Sequence, residues 1–196
     1  MTTEEGVTFN TGYQLHPSPL PVCLGLLNND KDGQWARHAK MPFSKFRKAT
    51  LKTQFYFPRE GNKQKNIADE WIRLSTGEKF TNAALGYVCD MWPMPAESFL
   101  NEENPYDFNS KGSPLKSAKF WYPTVLLNLD IKKQLPKGGV EWLFVRVATK
   151  QIKNGRMDLE IIILDEGAEV VAISHHVALA ISSERNLADR QTGPRI

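Results

Sequence analysis

Two adjacent histidines, His175 and His176, lie in the apolar stretch VAISHHVALAIS and make up half of the four histidines in the chain. A stretch of this composition is typical of a β-strand, in which neighbouring side chains point to opposite faces. The two imidazoles therefore cannot bind one metal ion together, and no metal site is predicted. His175 shares its face with bulky side chains and His176 with small ones. We expect the bulky face to pack on the core helix, which makes His175 the candidate for chemistry and His176 a structural residue. A core histidine without chemistry is the alternative interpretation of His175.

Asp90 is the only charged residue between Phe80 and Ala96. On a helix, it falls away from the apolar stripe and on the side that carries small residues. Low dielectric around a carboxylate raises its pKa, which suits the group to accept a proton or to orient a water molecule. A carboxylate near a helix end that simply reaches solvent fits the same spacing, so both interpretations stand.

The sequence lacks the motifs of several common catalytic and nucleotide-binding sites. The chain contains no GxSxG, P-loop, dinucleotide or HExxH motif, and Ser174 would face away from His175 on a strand. Cys23 and Cys89 are the only cysteines and have no CxxC spacing. We therefore expect a reduced intracellular protein, most simply cytoplasmic, with no cofactor.

The charge of the chain is mild, with a net charge of +3 and an isoelectric point of about 8.8. Basic residues concentrate at positions 38–52, where a solvated face explains them better than a nucleic-acid surface does. A small polyanionic ligand such as coenzyme A needs only one or two of these cations. No apolar run reaches the ~18 residues of a membrane span, so neither nucleic acid nor a membrane is an expected partner.

The first secondary structure expected after residue 45 is a pair of strands at 50–57 and 67–75. A helix should begin at Thr81 or Asn82 and end near Trp92, since Pro93 cannot continue it. Its apolar stripe has the i, i+3, i+4, i+7 spacing of a buried helix face and consists of Leu85, Val88, Cys89 and Trp92.

The second half of the chain has strand composition after a polar loop at 101–114. Four strands are expected in antiparallel meander at 120–133, 141–152, 156–165 and 168–182, with a tight hairpin at Asn154-Gly155. The proline-rich start predicts an extended, linker-like segment over residues 1–45. A globular domain follows over 46–183, and a polar tail covers 184–196. This order predicts an α+β hotdog fold, in which a curled antiparallel sheet wraps one long central helix.

The combined segments resemble a known family. LGYVCDMWPMP looks like the helix segment of the TesB-type acyl-CoA thioesterases, and EWLFVRV, KNGRMDLE and SHHVAL resemble the closing strands of their fungal thioesterase-like branch. The resemblance covers roughly residues 1–190. It implies a thioester hydrolase for acyl-CoA or carrier-bound acyl groups, in fatty-acyl or polyketide-type metabolism.

The same resemblance implies the catalytic residues. TesB-type enzymes hold the attacking water with an aspartate on the helix, a strand hydroxyl and a glutamine on the last strand. These positions carry over onto Asp90, Thr149 and His175. The histidine departs from the family pattern, so it either activates the water with the help of Asp90 or marks an altered or lost activity.

A second departure concerns length, since the TesB type has two hotdog domains and the first is missing here. We expect a homodimer, in which the hotdog sheet of a second copy pairs with this one in place of the missing domain. A truncated gene model is also compatible with the sequence. Two further functions stay open: a non-hydrolytic acyl-binding subunit, and a hydratase or dehydratase that uses Asp90 and His175.

Overall fold

A computed structural model describes residues 6–38, 48–93, 95–100 and 119–182. The described strands are β1 (Trp35–Arg37), β2 (Thr53–Pro58), β3 (Ile67–Leu74), β4 (Phe120–Trp121), β5 (Thr124–Ile131), β6 (Leu143–Lys153), β7 (Arg156–Leu164), β8 (Val170–Leu179) and β9 (Ile181–Ser182). The described α-helices are α1 (Leu24–Leu27), α2 (Leu85–Asp90) and α3 (Glu97–Leu100), with 3-10 turns at Thr50–Lys52 and Asn82–Ala84. Within these ranges, no helix is long and apolar enough to cross a membrane.

Seven strands form one antiparallel sheet in the order β1-β2-β3-β6-β7-β8-β5. The predicted four-strand meander is therefore wrong at its first strand, since β5 pairs with β8 and not with β6. The expected strand at 120–133 is also split. Pro123, which has no backbone N–H to donate, separates β4 from β5, and β4 pairs with β9 in a small second sheet.

The β6–β7 hairpin confirms the turn predicted from Asn154-Gly155. Both residues have positive φ, 52° at Asn154 and 71° at Gly155. Positive φ at both central positions is the type I′ geometry, whose twist matches that of the two strands.

The helix α2 packs on the inner face of the sheet. Its predicted stripe is confirmed, because Leu85, Val88, Cys89 and Trp92 are all buried in one core with strand residues such as Ile72 and Ile161. The helix is shorter than expected and ends at Asp90, since Met91 leaves the helical region with φ −104° and ψ 63° and Pro93 follows. The arrangement is nevertheless the expected α+β fold, with an antiparallel sheet around a central helix.

The outer face of the sheet carries a second apolar core, which the N-terminal segment covers. Leu15 and Leu27 pack there with Trp35, Trp71 and Phe144. A buried ion pair anchors the same segment, because the Arg146 guanidinium binds both carboxylate oxygens of Asp69 at 2.6 and 2.7 Å and donates to the Pro17 carbonyl. The first residues thus close the outer face, and β1 joins the sheet itself. The expected boundaries at 45/46 and 183/184 fall outside the described residues.

Candidate active site

Asp90 lies at the C-terminal end of α2 with an exposed carboxylate. The C-terminal end of a helix carries partial negative charge, so a carboxylate there is electrostatically unfavourable. Thr124 at the start of β5 compensates by donating a hydrogen bond from Oγ1 to Asp90 Oδ1 at 2.7 Å. This contact fixes the carboxylate and leaves its second oxygen, Oδ2, for another donor.

The hydroxyl that is hydrogen-bonded to Asp90 is that of Thr124. The resemblance implied a different residue, Thr149, as the hydroxyl that holds the water. Thr149 is buried on β6 and lines a different cavity from Asp90. Thr124 was missed because a single threonine after a proline carries no signal of its own. Its partner Asp90 also lies 34 positions earlier in the chain.

The two histidines of β8 do lie on opposite faces, but the expected assignment of the faces is wrong. His175 is exposed on the outer face, whereas His176 is 2% exposed on the inner face. The helix α2 covers this part of the sheet, because Cys89 shares one buried core with Ala172 and Ala178 of β8. The inner face of β8 consists of Ala172, Ser174, His176 and Ala178, of which all but His176 are small.

The environment of His176 favours its neutral form. Burial lowers the pKa of its imidazole, and the charge of Asp90 raises that pKa in part. Neither ring nitrogen has a hydrogen-bond partner among the described residues. A buried polar group without a partner costs about 1–3 kcal/mol, which is a reason to look for a functional partner.

A cavity of about 590 Å³ adjoins Asp90 and Thr124. Aromatic side chains form much of its wall, and Trp92 contacts Tyr122 edge-on at a ring-centroid distance of 5.6 Å. His176 is not among the lining residues, but its cross-strand neighbour Leu127 is. The lining residues of this cavity are Thr50, Gly86, Tyr87, Asp90, Met91, Trp92, Phe120, Trp121, Tyr122, Pro123, Thr124 and Leu127. The cavity can hold an apolar group beside a carboxylate and a hydroxyl.

A buried carboxylate supports this wall from behind. Glu97 at the start of α3 is 2% exposed and accepts hydrogen bonds from the backbone N–H groups of Lys119 and Phe120 at 3.0 and 3.3 Å. Burial raises the pKa of Glu97, and these N–H donors lower it in part. Glu97 thereby fixes the start of β4, from which the chain continues to Thr124.

The Cys89 thiol beside Asp90 is not a candidate nucleophile. Burial raises its pKa to about 11, the Ser174 hydroxyl lowers it in part, and the charge of Asp90 raises it. A thiol in this state stays protonated near neutral pH, so Cys89 packs as a small apolar side chain.

Comparisons with known proteins bear on the family of this chain. The family described as acyl-CoA thioesterase C-terminal domain matches residues 25–180. The thioesterase-like protein TwmA of Talaromyces wortmannii is 37% identical over 95% of this chain. The chain spans 59% of the length of that relative.

Two solved structures share the fold at low sequence identity. A conserved hotdog protein of unknown function from Alicyclobacillus acidocaldarius has a TM-score of 0.62 and 11% identity, covering 90% of this chain and 58% of its own. A candidate thioesterase from Novosphingobium aromaticivorans has a TM-score of 0.63 and 12% identity, covering 92% of this chain and 59% of its own. These two likenesses show the hotdog fold that the element order predicted.

Proposed function

Because the chain belongs to the acyl-CoA thioesterase C-terminal domain family of hotdog proteins, we propose that it hydrolyses acyl thioesters of coenzyme A or of a carrier protein. The observation that carries this proposal is the hydrogen bond from Thr124 to Asp90 at the mouth of an aromatic cavity. A fixed carboxylate beside an apolar cavity is what water attack on a bound acyl group requires.

The proposed reaction begins with a water molecule on the second carboxylate oxygen of Asp90. Asp90 accepts a proton from this water as the water oxygen forms a bond to the thioester carbon. The tetrahedral intermediate then collapses with cleavage of the C–S bond, and the leaving thiolate takes up the proton. The products are a carboxylic acid and a free thiol.

Thr124 and His176 position the reacting groups in this scheme. Thr124 holds the other oxygen of Asp90 and so sets the direction of the carboxylate. His176 lies on the same side of the sheet, behind its cross-strand neighbour Leu127 in the cavity wall, and in our proposal a water that enters past Leu127 reaches the unpaired ring nitrogens of the neutral imidazole. The resemblance implied His175 as the counterpart of the TesB-type glutamine. In our proposal, His176 has this role instead.

The test is thiol release from a panel of acyl-CoAs by the wild type and by Asp90→Asn. An amide keeps the acceptor for Thr124 but cannot take a proton, so we expect the rate to fall by about 100-fold or more with an unchanged fold. Asp158→Asn is the matched control, because Asp158 is exposed on β7, away from the β5 edge, and does not line the cavity. Equal rates for wild type and Asp90→Asn would refute the proposed role of this residue.

A hydratase or dehydratase of acyl thioesters is the second candidate function. The observation that favours it is that a carboxylate, Asp90, and an imidazole, His176, belong to elements on the inner side of the sheet. Formation of an enoyl thioester without thiol release would support this function over hydrolysis. Acyl-CoA binding without any turnover would instead indicate a non-hydrolytic acyl-binding subunit.

We also propose that the chain acts as a homodimer paired through β5. This strand is at the edge of the sheet, with β8 as its one neighbour among the described strands. Its side chains Val125 and Leu126 are 56% and 53% exposed. An edge strand with apolar side chains is a template for pairing with another chain. Pairing here would place Thr124 and Asp90 of each protomer beside the junction.

A further inference from the structure

A second cavity of about 920 Å³ lies beside the first, and Phe120 lines both. It lies against the far end of β6, the Asn154-Gly155 turn and the helix α3. The described residues of its lining include Lys65, Asn66, Phe99, Leu100, Thr149, Lys150 and Gln151.

The described residues that line this cavity carry charge of one sign. Lys65 and Lys150 are the charged residues among the described lining, and no described carboxylate belongs to it. The Lys150 ammonium lies 3.5 Å from the Glu160 carboxylate, but its side chain is 55% exposed, so this ion pair is weak and can exchange for another anion. The lining therefore attracts a negatively charged group.

The remaining lining combines apolar surface with neutral polar groups. Phe99 and Leu100 are about half exposed, at 48% and 51%, which leaves apolar surface for a ligand to cover. Asn66 and Gln151 add amide groups to the same wall. A plain alkyl chain would displace water from these amides and ammonium groups without offering them a hydrogen bond, which is costly. A ligand with an apolar body and an anionic oxygen would cover the apolar surface and also bind the amide and ammonium groups.

The register of the sheet gives the distance from this cavity to the proposed hydrolytic site. Thr149 pairs with Leu159, and Leu159 pairs with His176, so Thr149 lies two strands away from His176 on the inner face. Neighbouring strands are ~4.8 Å apart, which puts the two positions about 10 Å from each other. Because Phe120 lines both cavities, one substrate can extend from the first cavity, with its thioester at Asp90, into the second, with its far end at Lys150.

We propose that this second cavity is a binding subsite for an anionic oxygen carried on an apolar body, held by Lys65 and Lys150. The identity of the ligand as one end of a thioester rests on the proposed function, whereas the site itself does not. Two parts of such a substrate have this chemistry: a carboxylate at the far end of the acyl group, and the phosphates of the coenzyme.

The test measures binding rather than turnover, by calorimetry on the Asp90→Asn variant. The probes are suberyl-CoA, octanoyl-CoA and adenosine 3′,5′-bisphosphate, which separate the acyl carboxylate from the coenzyme phosphates. Lys65→Met and Lys150→Met are each combined with Asp90→Asn. Lys153→Met is the matched control, because Lys153 is an exposed lysine of the same hairpin that does not line the cavity.

If the acyl group supplies the anion, suberyl-CoA binds about tenfold more tightly than octanoyl-CoA, and either cavity substitution removes this difference. If the coenzyme supplies it, the two acyl-CoAs bind alike, and each cavity substitution weakens the bisphosphate about tenfold. Both results support the subsite. The subsite would be overturned if Lys65→Met and Lys150→Met changed the affinities no more than the control Lys153→Met does. Because the readout is binding, lysine-dependent affinity in a protein that never releases thiol would contradict the proposed hydrolysis and leave the subsite supported.

Discussion

At the scale of single residues, His175 and His176 show what strand geometry can and cannot predict. Alternation separated the two imidazoles correctly, because it follows from the backbone alone. The choice of the inner face was based on side-chain bulk, and it was wrong. The packing of α2 decides that face, because Cys89 shares a buried core with Ala172 and Ala178 of β8, which lie far from it in sequence.

Asp90 and Thr124 also differ in whether the sequence could predict them. Asp90 could be predicted as a candidate because one charged residue among apolar neighbours stands out in the sequence. Thr124 could not, because its role depends on where Pro123 directs the chain after β4. Long-range contacts of this kind are set by the fold and leave no local pattern.

His176 should make the stability of the protein depend on pH. Its folded pKa is lowered from about 6.5 in the unfolded chain, so the unfolded chain binds the extra proton first as the pH falls. The stability contributed by the neutral imidazole is thus complete above pH ~6.5 and is lost as the pH falls from there through the lower folded pKa.

Urea denaturation between pH 5 and 8 measures this effect. We expect His176→Gln to lose part of the acid-side fall in stability that the wild type shows, while His175→Gln keeps it. A wild type and a His176→Gln variant with parallel stability profiles over this range would contradict the lowered pKa.

At the scale of elements, the strongest predictions were those with a local cause. The Asn154-Gly155 turn and the stripe of α2 followed from backbone freedom and from helix periodicity, and both are confirmed. The pairing of β5 with β8 has no local cause, because it joins strands that are separated by β6 and β7. A meander was the simplest order for four consecutive strands, and the hotdog topology differs from it at this strand.

Gly86 in α2 offers a test of the first cavity. A Cβ at this position would meet no atom within 4 Å, and the residue lines the cavity. Gly86→Ala should stabilise the protein by about 0.5–1 kcal/mol, because alanine loses less backbone entropy in a helix. Gly86→Leu should instead fill the cavity and lower kcat/KM for long acyl-CoAs relative to short ones.

Gly25 provides the matched control for both changes. It lies in the helix α1, also has no atom within 4 Å of an added Cβ, and does not line this cavity. Gly25→Ala and Gly25→Leu should leave the preference for acyl length unchanged. An acyl preference that Gly86→Leu fails to alter would show that substrates do not use this cavity.

At the scale of the whole molecule, the sheet has a covered face and an open edge. The N-terminal segment covers the outer face through Leu15 and Leu27 and is fixed by the contact of Arg146 with Pro17. The sequence predicted an extended path for this segment from its prolines, but the aromatic outer core beneath it could not be read from a local pattern. The β5 edge has no comparable cover among the described residues.

A homodimer paired through β5 should be sensitive to charge on that strand. Leu126→Lys places a charge on the exposed edge, and we expect it to convert a dimer into a monomer at micromolar concentration, as measured by light scattering. Val7→Lys is the control, since Val7 is an exposed apolar residue, 85% exposed, outside β5. A wild type that is already monomeric under these conditions would contradict the proposed dimer.

The central claim is that Asp90, Thr124 and His176 act together on an acyl thioester, and the adjacent histidines test it most directly. The measurement is the rate of thiol release from acyl-CoA by the wild type, His176→Ala and His175→Ala. We predict a loss of about 100-fold for His176→Ala and a wild-type rate for His175→Ala, because the first imidazole lies on the Asp90 side of the sheet and the second lies outside it. A loss in His175→Ala with none in His176→Ala, or no thiol release by the wild type, would contradict the account.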